Sequence, residues 1–552
     1  MCHHSLPSAL ARRTAAVIAL AIVAVAAPLA TPARADVIHV PADVPTIQGA
    51  IVLAADGDMV EVEQGTYFEN IDFLGKDIVV TAGFAQFVDL FAAGPGSVVT
   101  FNNAEPSTAE LRLFSLNGGS GQLDAGSGLF GGGGVFIGGG ATPTLLECTI
   151  QDNVVPAGPF PVRGGGLLVV GGGHARLEHC NFYNNTATGG RGDALATQIG
   201  AVTMFACFFD GNGDALQDAA IYGSSIAATS CSISFEPGTG ADIQGDASFS
   251  GCEFTGNAGW GLMLAAEPAV DFSDCRFKDN GLGAALLTAS SASVEPSVSV
   301  SRCVFIHDLL DASAAGPAGQ GPVSVSHCTF DDGDVLVHGG ALIVQNSIFR
   351  GSPGFFSGAG TTTVTYSDVE GGWPGTGNID ADPLWTFPLF QDYSLLPGSP
   401  CINTGDPAEP LDPDGSPTDM GAVTYQPWVI PFNGSGAIEG TFGVPHLEGS
   451  GPLIPGMPAT LTLTDAAPNQ PLLLVIGGVG FATSFKGGGL WPNPPLMLVF
   501  GLSADGAGSL ALTGTWPAGT PSGTKLAFQV WFEDAGAPFL WAASNGLFAT
   551  SP

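Results

Sequence analysis

Residues 180–185, CNFYNN, and residues 275–280, CRFKDN, are two copies of one pattern that recurs between Leu145 and Arg350. Each copy has a cysteine, an apolar residue two positions later and often an asparagine five positions later. The eight cysteines of the pattern are Cys148, Cys180, Cys207, Cys231, Cys252, Cys275, Cys303 and Cys328. Neighbouring copies are 21 to 32 residues apart, and self-similarity at such a period is typical of solenoids, propellers and arrays.

The pattern predicts short strands stacked along one axis. In a strand, the cysteine and the apolar residue two positions later point to one face, and the residue between them points to the other. Glycine runs such as residues 131–134 and 164–166 supply corners, because glycine adopts positive φ at little cost. Asparagine is the other residue that visits this conformation cheaply, so the asparagine row is predicted to mark one corner. About three strands with their corners use up one repeat, which predicts an all-β chain with a parallel β-helix.

The cysteine row itself is predicted to be a packing ladder. Free cysteine is among the most buried residue types, and it packs as a small apolar side chain. Without Cys2 the chain has nine cysteines, an odd number, and it contains no CxxC motif. Disulfides between rungs and metal thiolates remain open as alternatives.

The strongly negative net charge excludes some classes of binding partner. The chain has 14 basic and 50 acidic residues, a net charge of −36. Such a surface repels nucleic acid, anionic membranes and acidic polysaccharides unless cations intervene. Nucleic acid is therefore excluded as an expected partner.

Residues 1–35 are predicted to be a secretory signal peptide. Arg12 and Arg13 precede an apolar run over residues 15–27, and a small residue stands on each side of Arg34 at the expected cleavage site after Ala35. No other stretch is long and apolar enough to span a bilayer, so no transmembrane helix is expected in the mature chain. The expected location is extracellular or at the cell surface.

The mature chain divides into two predicted domains. The β-helix takes residues 36–430, with a cap at 37–60 and a closing segment at 353–430. Pro45 is expected to open a short capping helix with Ile47, Ala50, Ile51 and Ala54 on one face, because a solenoid end must be covered.

A linker is expected at 427–436, and residues 431–552 are predicted to form a C-terminal β-sandwich, since short alternating runs are separated there by Gly, Pro and Asn turns. Four tryptophans of this region are either core aromatics or sugar-stacking residues: Trp491, Trp516, Trp531 and Trp541.

Several segments resemble the pectate-lyase-like right-handed β-helix superfamily. The opening carries VPAD at 40–43, PTIQ at 45–48 and GTYFE at 65–69, and the closing segment carries YSDV at 366–369, GNIDADPL at 377–384 and GSPCI at 398–402. The resemblance implies a right-handed β-helix in a secreted bacterial protein. It does not imply one activity, because the superfamily holds lyases, hydrolases, epimerases and adhesins.

Candidate catalytic residues follow from the chemistry of those relatives. Lyases of this kind use Asp-bound Ca²⁺ with an Arg or Lys base, but the basic residues of this chain are scattered. A hydrolase needs close carboxylates for acid and base work. The best candidates lie on two adjacent repeats and are Asp193, Asp210, Asp214 and Asp218. Acidic corners of an acidic protein give the same pattern.

One segment has the spacing of a calcium site. Its carboxylates belong to Asp406, Asp412, Asp414 and Asp419, with Gly415 among them. Hard cations take several oxygen ligands from close-set carboxylates. A plain acidic turn is the alternative reading, and no cofactor is expected to be required, with Ca²⁺ as the possible ion.

The sequence as a whole favours a non-catalytic protein. We expect a secreted or cell-surface β-helix protein that contacts extracellular glycans, matrix or other cells, so its partner would be a polysaccharide or a cell-surface component. A polysaccharide lyase or glycoside hydrolase acting on the lateral face is the main alternative, and a structural surface-layer component is another. The sequence leaves the oligomeric state open.

Overall fold

The computed structural model describes residues 35–552 except 84–86, 214–217, 267–268, 290–296, 313–321, 338–339, 353, 359 and 432–435. The predicted signal peptide lies outside the described residues apart from Ala35.

Three long parallel sheets form a right-handed β-helix, in which one rung is a strand of each sheet with its corners. Sheet 1 has the described strands Val37–Val40, Met59–Val62, Val79–Ala82, Glu110–Arg112, Thr144–Leu146, His174–Glu178, Ala201–Phe205, Ile226–Thr229, Ala247–Ser250, Ala269–Ser273, Ser297–Ser301, Val323–Ser326, Ala341–Gln345 and Thr361–Thr365. Sheet 2 has the described strands Gly65–Phe68, Val88–Phe91, Phe114–Asn117, Thr149–Gln151, Asn181–Tyr183, Phe208–Asp210, Ser232–Ser234, Glu253–Thr255, Arg276–Lys278, Val304–Ile306, Thr329–Asp331, Ile348–Arg350 and Asp368–Val369. Sheet 3 has the described strands Ile71–Asp72, Val99–Phe101, Val135–Ile137, Leu167–Val170, Leu195–Gln198, Ala219–Gly223, Thr239–Ile243, Trp260–Ala266, Gly283–Ala289, Leu309–Ala312, Asp334–Val337 and Phe356–Ser357.

Short strands decorate the corners of the early rungs and the closing segment. They are Gln122–Leu123, Phe130–Gly131, Val162–Arg163, Val154–Val155, Thr186–Ala187, Trp385–Phe387 and Asp392–Leu395, with a 3₁₀ turn at Pro388–Phe390.

The repeated cysteines are buried at the corner that leads into sheet 2. Each cysteine lies one residue before its strand begins, and not within the strand as the alternation predicts. The residue before the cysteine has a left-handed backbone, as at Glu147 (φ 53°) and His179 (φ 52°). The thiols donate to carbonyls of the preceding rung, for example from Cys180 to Leu145 O at 3.4 Å. All cysteines among the described residues are free and buried.

The asparagine row lies at the next corner, after sheet 2. The row therefore marks a corner, as predicted, but the left-handed residue there is the one before the asparagine, as at Asp152 (φ 54°), and not the asparagine itself. The asparagine side chains turn inward and bond from rung to rung: Asn153 Nδ2 donates to Asn185 Oδ1 at 2.9 Å, and Asn185 Nδ2 donates to Asn212 Oδ1 at 2.9 Å. The row satisfies backbone polar groups that the corner leaves unpaired.

A short helix at Ile47–Leu53 covers the first rung. Thr46 is its N-cap, and Thr46 Oγ1 accepts a hydrogen bond from the Gly49 N–H at 3.1 Å. Ile47, Ala50 and Ile51 are buried, as the pattern predicts. The helix therefore closes the apolar interior at this end.

The closing segment folds back over the outer face of sheet 2 at the last rungs. The Tyr393 hydroxyl donates to Asp331 Oδ2 at 2.7 Å, and the Ala422 N–H donates to Thr329 Oγ1 at 2.9 Å. Thr329 and Val304 are therefore buried, although the alternation alone predicts that they face solvent.

The C-terminal region is a sandwich of two antiparallel sheets. The described strands of the larger sheet are Trp428–Val429, Leu547–Thr550, Lys525–Glu533, Pro471–Gly478, Asn493–Ser503 and Trp541–Ala543. Those of the smaller sheet are His446–Ser450, Pro458–Thr464 and Leu510–Thr515, and a separate hairpin joins Thr483–Phe485 to Gly488–Leu490, with a 3₁₀ turn at Pro538–Leu540. Both sheets contribute to one apolar core, and Trp491, Trp516 and Trp531 are buried rather than exposed.

Candidate functional site

A long recess lies on the outer face of sheet 1. Its larger part has a volume of about 660 Å³, and its smaller part, of about 370 Å³, begins at the same Thr203. The recess runs along the β-helix axis from Ser107 to Ser248, so it crosses several rungs. Elongated recesses of this kind suit an extended ligand better than a compact one.

Strand alternation builds the floor of the larger part. In His174–Glu178, Ala175 and Leu177 are buried inward, which sends the side chains between them outward. The next strand, Ala201–Phe205, repeats the alternation.

The parallel register sets these outward side chains beside one another. Arg176 lies next to Thr203, and Glu178 lies next to Phe205. Side chains that the sequence separates by 27 residues therefore share one surface.

The polar groups of the recess are already oriented. His174 Nε2 and Thr203 Oγ1 are 2.9 Å apart, and Arg176 Nε donates to Glu178 Oε1 at 2.5 Å. All of these side chains keep solvent-facing atoms that can bind hydroxyl groups.

An aromatic ring adjoins these polar groups. Phe205 is 46% exposed and meets the ring of His179 edge to face, with ring centroids 5.5 Å apart. Phe205 therefore adds an apolar contact surface to the polar groups of the recess.

The smaller part of the recess is lined mainly by small residues. Ala227 and Ser248 face outward there, Ala247 packs against the interior, and Asp246 is exposed at the edge. The small side chains leave the backbone of adjacent rungs open to a ligand lying across them.

The predicted catalytic carboxylates do not lie in this recess. Asp193 is 1% exposed and accepts a hydrogen bond from the Ala187 N–H at 2.7 Å, whereas Asp210 ends a strand of sheet 2. Asp218 adjoins sheet 3, and Asp214 lies outside the described residues. A catalytic role for this group stays a prediction.

Sequence reasoning missed a buried carboxyl group, Glu236, near two of them. It takes the ladder position five residues after Cys231 and is 1% exposed. Burial raises the pKa of Glu236 to about 8, with Asp210 and Asp193 adding to the rise. The spacing of the row was the signal that could have identified it.

The predicted calcium ligands lie in the closing segment, where their carboxylates accept backbone hydrogen bonds. Asp419 accepts from Asn403 N at 2.7 Å and from Tyr425 N at 2.6 Å, and Asp412 accepts from Asp419 N at 3.0 Å. Asp414 and Asp406 accept in the same way, from Ser416 N and Ala408 N at 2.9 Å each.

Burial raises the pKa of Asp419 to about 7, with nearby Asp412 and Asp414 adding to the rise. Across the described ranges, His, Cys, Asp and Glu side chains form no group of three or more that fits a metal ion. Calcium binding stays a prediction.

The described helices were also compared with the requirements for a membrane-spanning helix. Among the residues that the structure describes, no helix has both the length and the apolar composition to cross a bilayer.

Comparison with known proteins identifies the repeat region. A family model described as a right-handed β-helix region matches residues 127–308 and again 218–371. A search of curated protein sequences finds no significant match. The expected likeness to right-handed β-helix proteins is confirmed.

Similar solved structures include two phage tailspikes. The enzymatically active domain of bacteriophage CBA120 tailspike protein 2 is 10% identical, with 91% of this chain and 76% of that chain covered and a TM-score of 0.22. The receptor-binding domain of the siphovirus 9NA tailspike is 8% identical, with 93% and 98% covered and a TM-score of 0.29. At such low TM-scores, no property of these proteins is transferred to this chain.

Proposed function

Because this chain is a right-handed parallel β-helix protein, with the family match at residues 127–371, we propose that it binds an extended extracellular glycan along sheet 1 without cleaving it. The glycan lies along the β-helix axis, across successive rungs. The predicted leader at residues 1–35 supports a secreted or cell-surface location, where such a glycan is available.

The observation that carries this proposal is the recess on sheet 1. Hydroxyl groups of a sugar find donors and acceptors at His174, Arg176 and Thr203, and the exposed ring of Phe205 offers an apolar surface for a sugar ring. The smaller part of the recess continues this surface along the axis over small side chains, which leaves room for further units of a polysaccharide.

The expected glycan is uncharged. The chain has a net charge of −36, and Glu178 and Asp246 add negative charge to the recess itself. A polyanionic chain would meet repulsion along the whole surface, whereas a neutral one would not.

Binding without cleavage follows from the carboxylates of the recess. Glycosidases use a pair of carboxyl groups on either side of the scissile bond. Of the described residues that line the larger part, Glu178 alone carries a carboxylate, and Arg176 holds it in an ion pair. The lining residues of the larger part therefore lack an acid and base pair. Asp246, in the smaller part, lies three strand steps from Glu178, roughly 14 Å along the axis at about 4.8 Å per step, which is too far for such a pair.

A glycan array with matched variants tests the proposal. We expect the wild-type chain to bind neutral polysaccharides and Phe205→Ala or His174→Ala to weaken binding about tenfold, since an anchoring side chain contributes more than about 1 kcal/mol. Ile343→Ala is the control, because Ile343 is 43% exposed on the same face outside the recess. Release of reducing or unsaturated ends, or equal binding by all variants, would contradict the proposal.

A further inference from the structure

Two arginines on adjacent rungs converge on one tyrosine ring at the outer face of sheet 3. Arg163 and Arg191 form an isolated parallel bridge between their rungs, and Tyr222 lies on the strand Ala219–Gly223. The Cζ atoms of Arg163 and Arg191 are 4.5 and 5.2 Å from the centroid of the Tyr222 ring. A tyrosine face attracts cations, so the two guanidinium groups share one aromatic surface.

Asp242 supplies one negative charge to this pair of arginines, and both of its oxygens are occupied. It lies beside Tyr222 on the next strand of sheet 3. Asp242 Oδ2 pairs with Arg191 Nη1 at 3.4 Å, and Asp242 Oδ1 accepts a hydrogen bond from Gln244 Nε2. Among the residues that the structure describes, no carboxylate lies within ion-pair distance of Arg163. The cluster therefore has one more positive charge than negative charge.

This positive charge is unusual in so acidic a protein. The chain has 14 basic and 50 acidic residues, yet Arg163 is half-buried beside a second arginine. Burial lowers the pKa of the Arg163 guanidinium below its ordinary value, and the positive charge of Arg191 adds to the fall. A half-buried cation beside a like charge costs free energy unless an anion compensates it. The cluster therefore favours an anionic ligand.

We propose that Arg163, Arg191 and Tyr222 form a binding site for a single carboxylate group of a small, otherwise neutral molecule. Two arginines and Asp242 leave one positive charge, which one carboxylate neutralises. The planar guanidinium fork matches the two oxygens of a carboxylate, and the Arg191 side chain is 50% exposed and open to a ligand.

The negative charge of the whole protein limits the ligand to one such group. A polyanion would meet repulsion from a chain with a net charge of −36, whereas a monoanion meets much less. The site lies on sheet 3 and is independent of the neutral glycan proposed for sheet 1.

Two pairs of probes test the site in the full-length protein by calorimetric titration at low ionic strength. Benzoate and benzamide have similar shapes, as do D-glucuronate and D-glucose, and only the first of each pair carries a carboxylate. We expect the acid of at least one pair to bind about tenfold more tightly than its neutral partner, because it gains charge-assisted hydrogen bonds. The pair with the larger preference shows whether an aromatic acid or a sugar acid fits better.

Three variants separate the site from the overall charge. Arg163→Gln should remove the preference for the acid, and Lys525→Gln is the matched control, because it removes one positive charge at an exposed position of the C-terminal domain. Asp242→Asn removes the competing carboxylate and should tighten binding of the acid about threefold to tenfold, with melting temperatures reporting that each variant is folded. Equal affinity within both pairs, a preference that survives Arg163→Gln, or weaker binding of the acid by Asp242→Asn would overturn the proposal.

Discussion

A row of buried polar side chains runs along one corner of the β-helix, and two carboxyl groups interrupt it. Asn212 N and Nδ2 donate to Glu236 at 2.5 and 3.1 Å, and Asn280 Nδ2 donates to Asp308 Oδ2 at 2.7 Å. Burial raises the pKa of Glu236 to about 8 and that of Asp308 to about 6. These positions are therefore titrated at pH values where an exposed carboxyl group is fully ionised.

The raised pKa of Glu236 predicts a pH-dependent stability. The folded-state pKa of Glu236 lies above the ordinary value of 4.5, so folding favours the protonated carboxyl group. The resulting contribution to the free energy of unfolding is fully present below pH 4.5 and is lost as the pH rises through about 8. Glu236→Gln should remove this dependence and raise stability at pH 8 by roughly 2–4 kcal/mol relative to the wild type, since one pKa unit corresponds to about 1.4 kcal/mol.

Chemical denaturation at pH 5 and pH 8 measures this effect. Glu448→Gln, at an exposed position of the C-terminal domain, is the matched control for the loss of one carboxyl group. Identical pH profiles for the wild type and Glu236→Gln would show that Glu236 has no role in the pH dependence.

Glu236 and Asp308 show which properties of single residues can be predicted from the sequence. Glu236 and Asp308 each stand five positions after a cysteine of the pattern, so their place in the row follows from the spacing. Their burial and shifted pKa values do not, because these depend on neighbouring rungs that the sequence alone does not position.

At the scale of the elements, stacked phenylalanines link the strands of sheet 2. The rings of Phe277 and Phe305 are 5.2 Å apart and nearly parallel, and those of Phe305 and Phe330 are 4.4 Å apart. Each ring fills the space between its neighbours in the apolar interior, where all three are fully buried. The ring contacts therefore stabilise the packing of each rung on the next.

Removing one ring from this stack should destabilise the β-helix strongly. Phe305→Ala leaves a cavity between two rings, and such substitutions cost about 3–5 kcal/mol. The free energy of unfolding from denaturant titration measures it, with Leu282→Ala as the control because Leu282 is 60% exposed. A loss no larger than that of the control would mean that the rings do not stabilise the stack.

The sequence predicts these elements where they repeat and not where they end. The cysteine and phenylalanine spacing predicts the rungs and the interior face, and the pattern after Pro45 predicts the capping helix. The path of the closing segment is not predictable in this way, because the bond from Tyr393 to Asp331 joins residues 62 positions apart with no repeat between them.

At the scale of the whole molecule, the same register that builds the β-helix assembles the proposed glycan site. His174, Thr203 and Phe205 carry no motif in the sequence, and they become neighbours because two strands of sheet 1 pair in parallel. The acidic clusters that the sequence does mark lie elsewhere, at Asp193 and in the closing segment. The sequence analysis named the lateral face only for the alternative enzymatic function, and it did not select these three residues as a site.

The recess also sets a length scale for the ligand. Between Ser107, just before the strand Glu110–Arg112, and Ser248, in Ala247–Ser250, it crosses six strands of sheet 1. Neighbouring strands are about 4.8 Å apart, so these strands span roughly 24 Å. A glycan bound along the axis should gain contacts with each added sugar until it covers this distance.

Calorimetric titration with a neutral oligosaccharide series of increasing length tests the central claim most directly. If the glycan lies along the β-helix axis, affinity should rise with each added sugar and level off once the chain spans about 24 Å. Affinity that does not change with length, or the lack of binding at every length, would contradict an extended glycan site on sheet 1.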